Sequence, residues 1–261
     1  MKLEDLIIAP IVAFIIYGIA ILIRPWVTYE ENRKYFLPAL TLKLLGAILL
    51  GALYQFYYGG GDTFGYYSGA THIFDAFYTD PGVGLKLIFN ETNYQGGVYP
   101  FASKIWMYPS PTEYMVVRIA GVFAILTGGT YAGTALLFAV VSFSGLWAMY
   151  MAFSKLFPNQ LLGLAVAILF IPSTIFWGSG ILKDSITFGL LGWSTAALIH
   201  LLYWQRRSWL WLSVLVLSLV LAFSIKEYIV LSFLPAAMIW GYFVIIKKVY
   251  NKVLRVLIAL D

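Results

Sequence analysis

The sequence predicts an all-α fold, a polytopic bundle of about seven transmembrane helices with one short re-entrant or interfacial helix. Three observations carry that prediction. Of 261 residues, 61% are hydrophobic and only 11% charged, whereas a soluble domain carries about a quarter charged residues. Mean hydropathy is +0.84. Several apolar runs approach or exceed the ~20 residues that a spanning helix needs.

The first run, 5–23, has acids in its flank and no small-residue cleavage site, so it reads as a retained span and not a signal peptide. The second, 37–57, leads into "YQFYYGGGDTFGYYSGATHIFDAFY" (54–78), where three glycines and Asp62 lie between dense aromatic blocks. The stretch 58–112 is aromatic, rich in Gly and Pro and mildly acidic, and it reads as one long extracytoplasmic loop. After it, "EYMVVRIAGVFAILT" (113–127) is too short to span comfortably and carries Arg118. The runs 131–153, 160–178, 185–204, 209–224 and 228–246 complete the predicted spans. No repeat or linker divides the chain, so 1–261 reads as a single transmembrane domain. Its final "NKVLRVLIALD" looks like an unfinished apolar run, the expectation for a piece of a longer protein.

The 113–127 segment decides the topology. If it spans, Arg24, Arg33 and Lys34 fall opposite Arg206, Arg207, Lys247 and Lys248. If it does not, one face collects all of these together with Lys155, Lys252 and Arg255. The positive-inside rule favours the second arrangement. The reading is then a multi-pass protein of the cell's inner (plasma) membrane, with the N-terminus and the 58–112 loop extracytoplasmic. "WGSGILKDSITF" (177–188) and "FSIKEYIVL" (223–231) then share the outer face with Asp62.

Composition also excludes several chemistries. Without cysteine there is no disulfide, thiol catalysis or Cys-based metal site. His72 and His200 lie too far apart in sequence to suggest a metal cluster. The net charge of +5 sits mostly at helix ends, which argues against nucleic acid.

Each polar cluster has two readings. Asp62 is either a loop carboxylate at a glycine-terminated helix exit or a general base on a flexible turn. If a helix starts at Thr63, Tyr66 and Tyr67 lie near that acid, and the aromatic flank suits a membrane interface or a sugar-binding wall. Lys183 and Asp184 are either a snorkelling lysine with a helix-capping acid or a phosphate site beside helix N-terminal amides. Lys226 and Glu227, followed by Tyr228, either neutralise each other or join the same substrate cavity. Arg118 is a candidate second phosphate ligand, His72 a lining residue of the outer cavity, and His200 a packing residue. "GGGD" fits the Gly-x-Gly-Asp pattern of intramembrane aspartyl proteases, with Asp184 as the only available second aspartate. "WGSG" lacks the first glycine of the rhomboid serine motif.

Two opening helices followed by Gly-x-Asp and Tyr ("GGGDTFGYY") resemble the EpsG-like and Wzy-like bacterial polysaccharide polymerases, and more loosely the GT-C glycosyltransferases. Lys183-Asp184 stands where those polymerases carry a basic residue at the head of a later helix, and "SIKEYIVLSFLP" is similar to their segment ending in Leu-Pro. The resemblance covers about 55–235. It implies cell-envelope polysaccharide biosynthesis from a polyprenyl-(di)phosphate-linked sugar or oligosaccharide, with Asp62 as base and Lys183, Lys226 and Arg118 at the phosphate. Some GT-C enzymes hold a divalent metal at the loop aspartate; this sequence requires none. Membrane lipids are the expected surroundings, and a membrane-protein partner or a second copy is a further expected contact. The rival reading is a non-catalytic transporter or scaffold subunit whose charges line a pathway or an interface.

Overall fold

The computed structural model describes residues 3–204 and 208–248, and among them there is no strand. Two long helices, α1 (Leu3–Val27) and α2 (Arg33–Phe56), open the chain. They meet at a short turn where the Asn32 side-chain oxygen accepts a bond from the Tyr29 amide at 2.9 Å.

The stretch 58–112, predicted as a loop, is largely helical. It holds α3 (Asp62–Thr79), α4 (Pro81–Phe89) and the short α5 (Tyr99–Ala102), and it ends as α6 (Pro111–Leu126) begins. The physical reason is a helical stripe that the aromatic composition obscured. Tyr66, Gly69, Ala70, Ile73 and Ala76 recur at helical spacing on α3 and are buried. Opposite them α6 buries Val116, Val117, Ala120, Gly121 and Ala124, with Gly69 against Val117 and Gly121 against Ile73.

Helix α7 (Tyr131–Leu156) is the axis of the molecule, with 16 buried residues, and α1, α2 and α10 pack on it. The 160–178 run, predicted as one span, is broken into α8 (Leu161–Leu169) and α9 (Pro172–Trp177). Pro172 has no amide proton to continue α8 and drives Ile171 into an extended conformation (φ −67°, ψ 124°). Next come α10 (Lys183–Ile199), its π-helical continuation His200–Trp204, α11 (Ser208–Ile225) and α12 (Glu227–Lys248). Where α10 crosses α7 the backbones touch: a Cβ on Gly145 would collide with the Gly189 carbonyl. Such small-residue contacts drive helix association in lipid, where hydrophobic attraction between helices is absent.

Six described helices are long and apolar enough to cross a membrane: α1, α2, α7, α10 with its π turn, α11 and α12. The chain is therefore a multi-pass helical membrane protein. Its bundle has two chemically distinct ends. At the basic end Arg24 reaches the Arg33 carbonyl (3.1 Å), and Lys155 lies over the Tyr29 and Trp204 rings (5.4 and 5.3 Å). At the polar end the starts of α3, α6, α7, α10 and α12 gather. Arg206, Arg207, Lys252, Arg255, the side chain of Lys248 and the terminal "NKVLRVLIALD" lie outside the described residues.

Candidate functional site

The three glycines before α3 adopt φ of 70°, 142° and 131° (Gly59, Gly60, Gly61), conformations that side chains disfavour. At Gly61 there is also no room: a Cβ would meet the Tyr54 ring at 2.6 Å. This turn delivers Asp62 as the first residue of α3, where a carboxylate is favoured by the helix dipole. Asp62 is exposed and forms no ion pair among the described residues.

One turn along α3, the Tyr66 hydroxyl donates to Glu113 Oε2. Burial and that bond push the Tyr66 phenol well above its usual range, with the charges of Glu113, Asp62 and Asp184 adding to the effect. The other oxygen of Glu113 receives Lys183 Nζ at 2.5 Å, and Thr112 Oγ1 lies 3.4 Å from the same nitrogen. Burial raises the Glu113 pKa, but the bonds from Lys183 and Tyr66 and the charges of Lys183 and Lys226 outweigh it and hold the carboxyl below its usual range.

Beside this chain Asp184 Oδ1 receives Lys226 Nζ at 2.5 Å, and the lysine lies 5.9 Å from the Tyr228 ring. Burial lowers the Lys226 pKa, but the bond and charge of Asp184 overcome it and leave it above the usual lysine value. Both lysine side chains are 17% exposed, against 31% for Glu113 and 46% for Asp184. The pairs therefore sit at a rim that a solute can reach. Two carboxylates and two ammonium groups pair there, and Asp62 stands one helical turn before Tyr66, without an ion-pair partner among the described residues.

Tyr66 and Lys183 are joined through Glu113, Asp184 and Lys226 pair beside Tyr228, and Asp62 stands one turn before Tyr66 on α3. Other expected site residues point elsewhere. Tyr67 donates to the Gly129 carbonyl at 2.7 Å. Arg118 donates to the Asn90 carbonyl and lies 4.9 Å from the Tyr114 ring. His72 is half-buried, nearly three turns along α3 from Asp62; burial lowers its pKa, with Asp75 opposing and Lys104 reinforcing the shift. Glu227 is exposed on the first turn of α12. His200 packs, as expected, stacked on Trp211 at 3.9 Å.

Two residues escape a reading of the sequence. Glu113 follows Ser110-Pro111, and a proline with an acid in the first helical turn marks a helix N-terminus. Read as the head of a weak apolar segment, it offers no sign of a lysine partner. Lys43 lies 1% exposed in the middle of α2. Its ammonium donates to Ser142 Oγ (3.0 Å) and to the Thr174 and Gly178 carbonyls (both 2.8 Å), so it binds the end of α9 to α2 and α7.

A divalent metal at Asp62 does not fit this donor set. Among the described residues no three carboxylate or imidazole groups gather, and Glu113 and Asp184 are committed to lysines. The aspartyl-protease reading needs a second aspartate able to share a proton with Asp62, and Asp184 is held by Lys226.

No family model, curated protein or solved structure matches the chain. Fold and site together define a multi-pass helical membrane protein with a reachable cluster of ionisable side chains at one end of its bundle.

Proposed function

We propose that this protein is an integral-membrane glycosyltransferase or polysaccharide polymerase that uses a polyprenyl-(di)phosphate-linked sugar at the polar end of its bundle. The positive-inside rule turns the basic end to the cytoplasm and the polar end outward. The 157–182 connection, with α8 and α9, is then a seventh, broken crossing, since it leads from Lys155 to Lys183. Helix α6 does not cross: Glu113 at its start meets Lys183, and Thr127 just past its end meets Thr134 in the first turn of α7 at 3.1 Å.

In the proposed reaction the acceptor hydroxyl oxygen attacks the anomeric carbon of the donor sugar. The bond from that carbon to the phosphate oxygen breaks, and its electron pair leaves with the polyprenyl phosphate. Asp62 takes the hydroxyl proton. Lys183 and Lys226 turn from Glu113 and Asp184 towards the phosphate oxygens and stabilise the charge that leaves. The observation that carries this reading is Asp62 itself, an exposed carboxylate without an ion-pair partner among the described residues, one helical turn from a tyrosine–glutamate–lysine chain. The test is incubation of proteoliposomes containing the protein with a radiolabelled polyprenyl-diphosphate sugar and an acceptor glycolipid. Labelled elongated product is expected, and its absence across a range of bacterial sugar donors and acceptors counts against the reading.

A second reading has its own support. Both lysines already own a carboxylate, which is what a clamp holding α6, α10 and α12 together in a transporter or scaffold subunit requires. In that case polyprenyl phosphate does not bind, and loss of a lysine changes stability alone.

A further inference from the structure

We propose a lipid site at the opposite, basic end of the molecule: a groove between α1 and α10–α11 that takes one acyl chain of an anionic phospholipid, with its phosphate at Lys155. The groove has a volume of about 600 Å³, within the range of ~300–1,000 Å³ typical of ligand sites. Its floor is α7, and its lining is apolar apart from a few side chains. The floor runs from Leu137 to Lys155, 18 residues or ~27 Å at 1.5 Å per residue, and its basic half, from Ser144 to Lys155, runs for 11 residues, ~16 Å. That is close to half of a ~30 Å hydrocarbon core, the depth of one leaflet. Trp147, Ala148 and Met151 form this half of the floor, with Trp193 and Trp211 as the wall.

Charge complementarity identifies the occupant. Lys155 closes the basic end of the groove, is exposed, and has no carboxylate partner among the described residues. The Tyr29 and Trp204 rings flank its ammonium at 5.4 and 5.3 Å, the amphipathic aromatics that sit at headgroup level. His200, stacked on Trp211, closes the same end, and it begins the π-helical turn, a local irregularity that recurs at functional sites. An apolar groove whose basic half is one leaflet deep, with an ammonium at its mouth that has no carboxylate partner among the described residues, matches a chain and a phosphate on one molecule. No residue of this half-groove belongs to the Asp62 cluster, so the proposal stands or falls independently of the glycosyltransferase reading.

Three of the nine tryptophans line the site, which makes fluorescence quenching the natural test. The full chain is reconstituted in vesicles containing phosphatidylglycerol or phosphatidylcholine with dibrominated acyl chains. The brominated anionic lipid is expected to quench with roughly fivefold higher apparent affinity, the advantage of one lysine near anionic headgroups. Lys155→Gln should abolish that difference, and Ala148→Phe, which fills the slot, should reduce it. To keep the test decisive should Ala148→Phe fail to fold, retention of phosphatidylglycerol by wild type and Lys155→Gln is also counted by native mass spectrometry. Equal quenching by both lipids, or an undiminished difference in Lys155→Gln, shows only annular lipid and overturns the proposal.

Discussion

Lys183 Nζ and Glu113 Oε1 lie 2.5 Å apart, joining the first turn of α10 to the first turn of α6 across 70 residues of chain. The same carboxylate accepts from Tyr66, so three helices meet at one side chain. A group placed this way is either a clamp or a carrier of lysine to a phosphate, and the two roles separate by experiment.

If Lys183 acts as a charge on the leaving phosphate, Lys183→Ala lowers transfer by about 10²–10³-fold, and Lys183→Arg retains much more. The readout is product formation in membranes at matched expression. Unchanged product in both variants, with normal insertion, would reduce Lys183 to a structural clamp.

The pH dependence of stability follows from the two pairs. The Glu113 pKa is depressed in the fold, so its contribution is present above the ordinary carboxylate pKa and is lost as pH falls through the lower folded value. The Lys226 pKa is raised, so its contribution is present below the ordinary lysine pKa and is lost as pH rises through the higher folded value. Between about pH 5 and 10 neither Glu113 nor Lys226 contributes a slope. Thermal unfolding in detergent should show wild type losing its advantage over Glu113→Gln only below that plateau, and over Lys226→Met only above it. A Glu113→Gln difference that varies across neutral pH would contradict the ion-pair assignment.

Lys43→Met should destabilise the bundle. It strands the Gly178 carbonyl and the Ser142 hydroxyl away from water, whereas the Thr174 carbonyl keeps the Gly178 amide at 3.2 Å; a buried unsatisfied group costs about 1–3 kcal/mol. The unfolding midpoint should fall while the Asp62 cluster, which shares no residue with the Lys43 contacts, keeps its chemistry. An unchanged midpoint would mean that other groups meet those acceptors.

Much of this design is legible from residues alone, and the omissions have physical causes. Long apolar runs identify α1, α2, α7, α10, α11 and α12, because lipid leaves a spanning chain little choice but helix. Lys183-Asp184 and Lys226 stand out as interruptions of such runs, and their convergence with Asp62 follows from arranging the basic loops on one side. The 160–178 run hides a break because mean hydropathy does not register the single missing amide of Pro172. The helices within 58–112 are masked by glycine and proline, although the stripe through Tyr66, Ala70 and Ile73 is present in the sequence. Lys43 is a lone cation in an apolar run, and its carbonyl partners lie more than 130 positions away. No periodicity reports such a contact.

The orientation has its own test, made clean by the absence of cysteine. Ser110→Cys and Gly128→Cys, flanking α6, should both react with an impermeant thiol reagent from outside, and Ser208→Cys only after permeabilisation. Labelling of Ser110→Cys and Gly128→Cys from opposite sides would make α6 a crossing and separate the basic loops that the orientation unites.

The most direct test of the proposed chemistry is Asp62→Asn. The substitution keeps the size of the side chain and removes its basicity. General-base catalysis contributes about 10²–10⁴-fold, so formation of labelled polymer or glycolipid should drop by that factor at matched expression, with the unfolding midpoint lowered only slightly by loss of a charge at the N-terminus of α3. Asp75→Asn, at an exposed acid on the same helix, should cost little. Retention of most of the activity by Asp62→Asn would contradict the account and leave the glycines and their acid as a helix exit.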